Sequence, residues 1–224
     1  MKHYYFDKNQ YNFSALLKQL FGVSELELLH ENLQSLYSAD DGIAGLGNDT
    51  HSIFHEIFYK KLNNNWKDFE YVYHSFIRNK IFPLFLEEES LIYQTLPSFR
   101  IQYPKAKAVT TIHCDSDEHH KHPLGEINIL IPLTEMFDTS TIWIESVPNL
   151  GDYKPVNMVP SQFMVWNGNR CRHFNKTNLT EKTRVSLDFR ILPNKCYNPL
   201  YDKQTATTNQ KFIIGEYYSR MLEI

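Results

Sequence analysis

Apolar and polar positions divide the chain into two textures. Up to about residue 95, apolar side chains recur every three or four residues, the spacing of helices packed along one side. Phe13 to Leu20 predicts a short helix with Leu16, Leu17 and Leu20 on one face. Ser24-Glu25-Leu26-Glu27 has the form of a capping box. Leu26, Leu29, Leu33 and Leu36 then predict a helix running to near Ala39. The stretch 40–49, with Gly42, Gly45 and Gly47, predicts a loop. Ile53, Ile57, Tyr59 and Leu62 predict a second helix that starts at Asp49 or Thr50 and stops at Asn63-Asn64-Asn65. A third helix is predicted over Trp66 to Asn79. At the start, Tyr4-Tyr5-Phe6 suits either an edge strand or a buried anchor.

Beyond Leu96-Pro97 the period shortens to two. Strands are predicted at Ser98 to Pro104, Ala106 to Ile112, Ile127 to Ile131, Thr141 to Glu145, Gln162 to Trp166 and Thr183 to Leu192. Many short strands separated by Pro, Gly, Asp and Asn clusters mean a sandwich or barrel. In the last strand Arg184, Ser186, Asp188 and Arg190 share one face, and Val185, Leu187, Phe189 and Ile191 the other. An ordinary strand would turn the polar face to solvent. Here the N-terminal helices are expected to cover the apolar face and leave the polar one inside. By the same alternation Glu126 and Asn128 oppose Ile127 and Ile129, and Thr141, Trp143 and Glu145 oppose Ile142 and Ile144. The expected interior is therefore a polar pocket. Arg184 and Arg190 on one inner face call for an anion, most naturally a carboxylate, which guanidinium grips with two nitrogens. The expected class is α+β with a mainly β core. The expected organisation is a single domain over 1–224: a mostly helical support (1–95), the β core (96–195) and a C-terminal extension (196–224) that packs back on the body.

Composition narrows the function classes. The 224 residues are 42% hydrophobic and 14% aromatic, which is globular rather than disordered. A formal net charge of −3 supplies no basic field for nucleic acid. No run approaches the ~18 apolar residues of a membrane helix, and Met1 to Asp7 has no signal-peptide core, so a cytoplasmic location is expected. Cys114, Cys171 and Cys196 are odd in number and match no zinc spacing, which favours reduced thiols.

The chemistry concentrates between Thr111 and Ile191. His113 and Asp115 stand two apart, and His173 follows 60 residues later. Two imidazoles and one carboxylate form the facial triad of a non-haem Fe(II) centre, with positions left open for reactants. Arg184 and Ser186 follow as Arg-x-Ser. The tract Asp117-Glu118-His119-His120-Lys121-His122 reads more simply as a solvated loop beside the site than as a separate metal tract. His30, His51, His55 and His74 in the helical region read as hydrogen-bonded or solvated histidines.

At these residues the sequence resembles the 2-oxoglutarate/Fe(II)-dependent oxygenases, whose fold is a double-stranded β-helix, or jelly roll. His113-x-Asp115, the distal His173 and Arg184 eleven residues beyond it match the family pattern. Gly125-Glu126-Ile127-Asn128, Trp143-Ile144-Glu145-Ser146, Asn167-Gly168 and Thr183-Arg184-Val185-Ser186 look like the branch typified by streptomycin-biosynthesis oxygenases. The likeness covers roughly 99–192. Pro160-Ser161-Gln162 departs from it, since a glycine is expected at that turn. The resemblance implies Fe(II) on His113, Asp115 and His173. It implies 2-oxoglutarate held by Arg184 and Ser186, with Asn128 beside it, and O2 as oxidant. The implied reaction is hydroxylation of a small polar molecule in a biosynthetic pathway. Glu126, Trp143, Glu145, Asn167, Asn175 and Arg190 are its candidate substrate contacts.

Two other readings stay open. A cupin-type dioxygenase or isomerase would keep a metal triad without 2-oxoglutarate, although cupins usually bring three histidines and a glutamate. A non-catalytic jelly-roll binding protein would make the histidines incidental. An oligomer is possible, and the C-terminal tail could serve as a lid or a subunit contact.

Overall fold

A computed structural model describes residues 1–32, 52–85, 88–106, 111–206 and 208–222. Among them, ten strands form two antiparallel sheets. The larger runs in the order β1 (Lys2–Tyr5), β7 (Gln162–Trp166), β4 (Ile127–Pro132), β9 (Arg184–Leu192), β2 (Ser90–Gln94) and β10 (Tyr218–Leu222), with β3 (Ser98–Gln102) also paired to β9. The smaller contains β6 (Lys154–Pro155), β5 (Ile142–Ile144) and β8 (His173–Asn175). β1 and β2 come from the first 95 residues and β10 from the tail, so all three segments of the chain build the larger sheet.

Among the described residues, three α-helices precede most of this. α1 (Phe13–Phe21) ends at Gly22, whose φ of 68° lets the chain close the helix with backbone bonds to Gln19 and Lys18. α2 (Ile53–Asn63) starts later than the pattern suggested, because Ser52 provides its cap by accepting from His55 N–H. α3 (Lys67–Phe76) widens into a π turn at Ile77–Ile81 and then a 3-10 turn at Phe82–Leu84. Pro83 lacks an amide proton and cannot continue an α-helix. The segment expected to be helical after Ser24 is instead a 3-10 helix at Leu26–Asn32. Leu26 and Leu29, three apart, are both fully buried along its side. Leu33, Leu36 and the loop expected at 40–49 lie outside the described residues, as does His51. Most of the strand expected over Ala106 to Ile112 does too, and its described residues Ala106, Thr111 and Ile112 belong to no strand.

The apolar face of β9 is buried as its alternation predicts. Val185, Leu187, Phe189 and Ile191 join Ile129 and Ile131 of β4 in one cluster with Leu17, Phe54, Phe58, Phe69 and Phe76 from the helices. Aromatic pairs cross from helix to sheet: Phe58 stacks on Phe99 at 4.9 Å, and Tyr73 meets Phe189 edge-on at 5.2 Å. Each such buried side chain contributes on the order of 2–3 kcal/mol. His55 is buried here too, between Ser52 Oγ and the Phe99 carbonyl. The turn at 160–162, where glycine was expected, places Ser161 at φ 95°, a region that favours glycine. Its carbonyl accepts the Phe6 amide at 2.9 Å and ties the N-terminus to the turn.

A second cluster joins the two sheets. Leu130, Met164 and Trp166 from the larger sheet meet Ile144 from the smaller, with Ile142 packed against them. This reverses one expectation. In β5 it is Ile142 and Ile144 that face inward, and Trp143 turns outward to pair with Phe174. Lys176 Nζ lies over the Trp143 ring, 3.3 Å from its centre. Period-two alternation says which residues share a face but not which face is inside, and here the gap between the sheets takes the apolar one.

Candidate metal centre

His113 and His173 are brought together by the backbone. They form an isolated antiparallel bridge: His113 N–H donates to His173 O at 3.2 Å, and His173 N–H donates to His113 O at 2.8 Å. Residues opposed in this way send their side chains to the same side, and the two rings lie 4.3 Å apart. Two residues on, Asp115 N–H donates to Gly168 O at 2.9 Å. Asp115 Oδ1 then lies 3.6 Å from His173 Nε2. One donor atom from each of His113, Asp115 and His173 falls within 4.8 Å of the others.

Both imidazoles are anchored alike. His113 Nδ1 meets the Thr111 carbonyl at 2.8 Å, and His173 Nδ1 meets the Cys171 carbonyl at 3.1 Å. A carbonyl only accepts, so each Nδ1 carries the proton and each Nε2 keeps its lone pair for the centre. Protonation agrees with this. Burial pushes the His173 pKa down to about 4 and lowers that of His113, so both rings are neutral at pH 7. Burial alone would raise Asp115. The Arg190 guanidinium beside it and the Asn128 hydrogen bond instead hold its carboxyl well below the usual range. Two neutral imidazoles and a fixed carboxylate form a donor set suited to a divalent first-row metal.

Asp115 is gripped from one row of the sheet. Asn128 on β4 lies directly opposite Arg190 on β9 and Trp166 on β7. Asn128 Nδ2 donates to Asp115 Oδ2 at 2.7 Å, and Arg190 donates to the same oxygen from Nε at 3.2 Å and Nη2 at 3.0 Å. Trp166 sets its ring edge-on to His173 at 4.8 Å. Gly168 makes this approach possible. A Cβ there would lie 2.8 Å from Asn128 Cγ and 2.7 Å from the Trp166 ring.

The remaining sequence candidates scatter by role. Arg184 and Ser186 lie on the inner face of β9, nearly or fully buried. Ser186 Oγ has no hydrogen-bond partner among the described residues. Gln102, opposite Arg184, donates its side-chain amide to Lys176 O, which brings this end of β9 to the residue after β8. Glu126 is buried between His122 Nδ1, at 2.7 Å, and the Tyr218 hydroxyl. Glu145 accepts backbone N–H groups of Asn149, Gly151 and Arg172. Burial works to raise its carboxyl, yet these bonds bring it below the usual range. Asn175 holds the Thr141 carbonyl, while Asn167 is exposed and closes its own turn through Arg170 N–H. Trp143 faces away, and Arg190 is engaged by Asp115 and by Asp188, at 2.9 Å.

The tract 117–122 is less solvated than its composition suggests. His122 packs its ring on Phe212 at 4.6 Å, and its N–H donates to Asp115 O. His120 stacks on His113 at 4.4 Å while bonding Asp117. His122, Tyr218 and Trp166 were not singled out from the sequence. The one available signal was the four-residue spacing of His122 and Glu126, and the fold brings donor atoms of both within 4.8 Å of one on Asp115.

The chain is 28% identical over 214 residues to the streptomycin biosynthesis protein StrG of Streptomyces griseus, a match that covers 95% of this chain and 94% of that one. This similarity runs along nearly the whole chain, beyond the stretch 99–192 that carries the motifs. No protein-family model matches it. Among solved structures, the non-heme monooxygenase ThoJ in complex with nickel aligns at a TM-score of 0.44 and 9% identity, over 90% of this chain and 76% of that one. CytC3 with Fe(II) and alpha-ketoglutarate aligns at 0.40 and 14%, over 53% and 51%. HygX of Streptomyces hygroscopicus, with nickel, 2-oxoglutarate and hygromycin B bound, aligns at 0.38 and 10%, over 52% and 62%. The chain therefore spans about half to three quarters of these matched structures.

Proposed function

We propose that the chain is a double-stranded β-helix oxygenase that uses Fe(II) and 2-oxoglutarate to hydroxylate a small polar metabolite in a biosynthetic pathway. A sugar, an aminocyclitol or an amino-acid derivative is the substrate class that fits. The observation that carries this reading is the twin anchoring of His113 and His173, whose Nδ1–H groups bond backbone carbonyls and leave both Nε2 lone pairs free, with His173 Nε2 3.6 Å from Asp115 Oδ1 and one donor atom of each of the three residues within 4.8 Å of the others. Similarity to a streptomycin biosynthesis protein favours a biosynthetic role.

The residues fit both groups. His113, Asp115 and His173 supply three donors for the metal and leave positions for reactants. Ser186 Oγ, buried on the same face as Arg184 and without a partner among the described residues, fits a ligand that brings its own acceptor. Arg184 and Ser186 would hold the distal carboxylate of 2-oxoglutarate. When bound, the metal and 2-oxoglutarate supply the oxidising chemistry: O2 is consumed, 2-oxoglutarate leaves as succinate and CO2, and a substrate C–H becomes C–OH. The chain positions and shields. The Thr111 and Cys171 carbonyls fix the ring tautomers, Asn128 steadies Asp115 rather than the co-substrate, and Trp166 walls off His173.

The test is a succinate-release screen of the Fe(II)-loaded protein with 2-oxoglutarate over sugars, cyclitols and amino acids. One class is expected to release succinate, and Arg184→Ala is expected to abolish the release. A metal-loaded protein that fails to bind 2-oxoglutarate would sink the proposal.

A further inference from the structure

We propose that Arg190 is a positioning residue that confines Asp115 to a single metal-binding oxygen, rather than a contact for substrate. This inference rests on the metal reading above.

The geometry assigns the two carboxylate oxygens different tasks. Oδ2 receives three N–H donors, from Asn128 Nδ2 and from Arg190 Nε and Nη2. An ionised carboxylate offers about four lone-pair sites over both oxygens, so three donors on one oxygen leave it nothing for a metal. Oδ1 is the oxygen turned toward His173 Nε2. Two-oxygen chelation would occupy an extra metal position, and it would first have to break this grip. The grip therefore protects the open positions on which the proposed reaction depends.

Arg190 is itself held. Its Nη1 bonds Asp188 Oδ2 at 2.9 Å, and Asp188 Oδ1 accepts from Arg100 Nε at 3.1 Å. Four charges alternate in sign from β3 to the centre: Arg100, Asp188, Arg190, Asp115. The Arg190 side chain is 8% exposed. With Nε and Nη2 on one carboxylate and Nη1 on another, little of it is left to meet a substrate. The cross-strand register explains why two donors converge on one oxygen. Asn128 and Arg190 face each other, so a single rung of the sheet delivers both side chains to Asp115.

The test is Mn(II) titration, with the d–d absorption of the Co(II)-loaded protein as a second readout, on the wild type and on Arg190→Gln and Arg190→Lys. Arg190→Gln is expected to weaken Mn(II) binding about 10- to 100-fold, the usual effect of losing a partner behind a metal ligand. It should also change the Co(II) spectrum, as Asp115 becomes able to bind through both oxygens. Arg190→Lys keeps the charge but not the fork and should fall between the two. It decides the matter if the glutamine variant does not fold. Wild-type Mn(II) affinity and an unaltered Co(II) spectrum in a folded variant overturn the proposal and leave the metal reading intact. A wild type that binds no Mn(II) overturns both.

Discussion

His113 and His173 exchange both backbone hydrogen bonds across 60 residues of sequence, and this bridge, more than either side chain, makes the centre. It aims two rings the same way from opposite sides of the bridge. Each ring is then locked by a carbonyl two residues upstream of itself. The arrangement holds the lone pairs inward before any metal arrives.

That preorganisation has a cost at low pH. The folded-state pKa of His173 is lowered to about 4 from 6.5. Between those values the unfolded chain binds more protons than the folded one, so stability falls as pH drops from 6.5 toward 4. The contribution is on the order of 3 kcal/mol. Asp115, also lowered, adds a further loss below its unfolded value of 3.8. Urea unfolding of the metal-free protein from pH 7 to 4 is expected to show this slope, and His173→Gln to flatten it. Equal slopes in the two proteins would contradict the assignment.

Ser186→Ala separates folding from binding. The hydroxyl is buried without a partner among the described residues, and replacing an unsatisfied group by an apolar one is neutral or stabilising. The melting temperature should hold or rise, while 2-oxoglutarate affinity falls about 10-fold with the lost hydrogen bond to a charged group. Calorimetry reads both, and an unchanged 2-oxoglutarate affinity would remove Ser186 from the co-substrate site.

Glu145 was a candidate for substrate but holds three backbone N–H groups. Glu145→Ala strands them, and the expected destabilisation is about 2–4 kcal/mol in urea unfolding. A stable variant that loses only substrate affinity would restore the original reading.

Gly168→Ala tests how closely the row Trp166–Asn128–Arg190 is packed. The new methyl would lie 2.8 Å from Asn128 Cγ, so the amide must move off Asp115. Mn(II) affinity should drop about 10-fold, with about 1–3 kcal/mol of destabilisation from overpacking. Wild-type affinity in the alanine variant would mean that Asn128 can shift without releasing Asp115.

Several features were legible in the sequence because local rules decide them. Alternation from Thr183 to Ile191 sorted the two faces of β9, and burying Val185, Leu187, Phe189 and Ile191 together requires no knowledge of neighbours. The spacing of His113 and Asp115, with the distal His173, marked the candidate ligands, since side chains two apart on an extended chain project alike. What the sequence could not decide was which face points inward and which distant group meets which. Trp143 and Ile144 alternate as expected, yet only the packing of Leu130, Met164 and Trp166 places Ile144 inside. Arg190 carries the same guanidinium whether it meets substrate or Asp115, and the choice was made by the register that sets it opposite Asn128. Tyr218 became a neighbour of Glu126, opposite His122, because the tail adds β10 alongside β2. Local periodicity sorts faces along one strand, whereas register and sheet stacking are long-range properties that only the folded chain expresses.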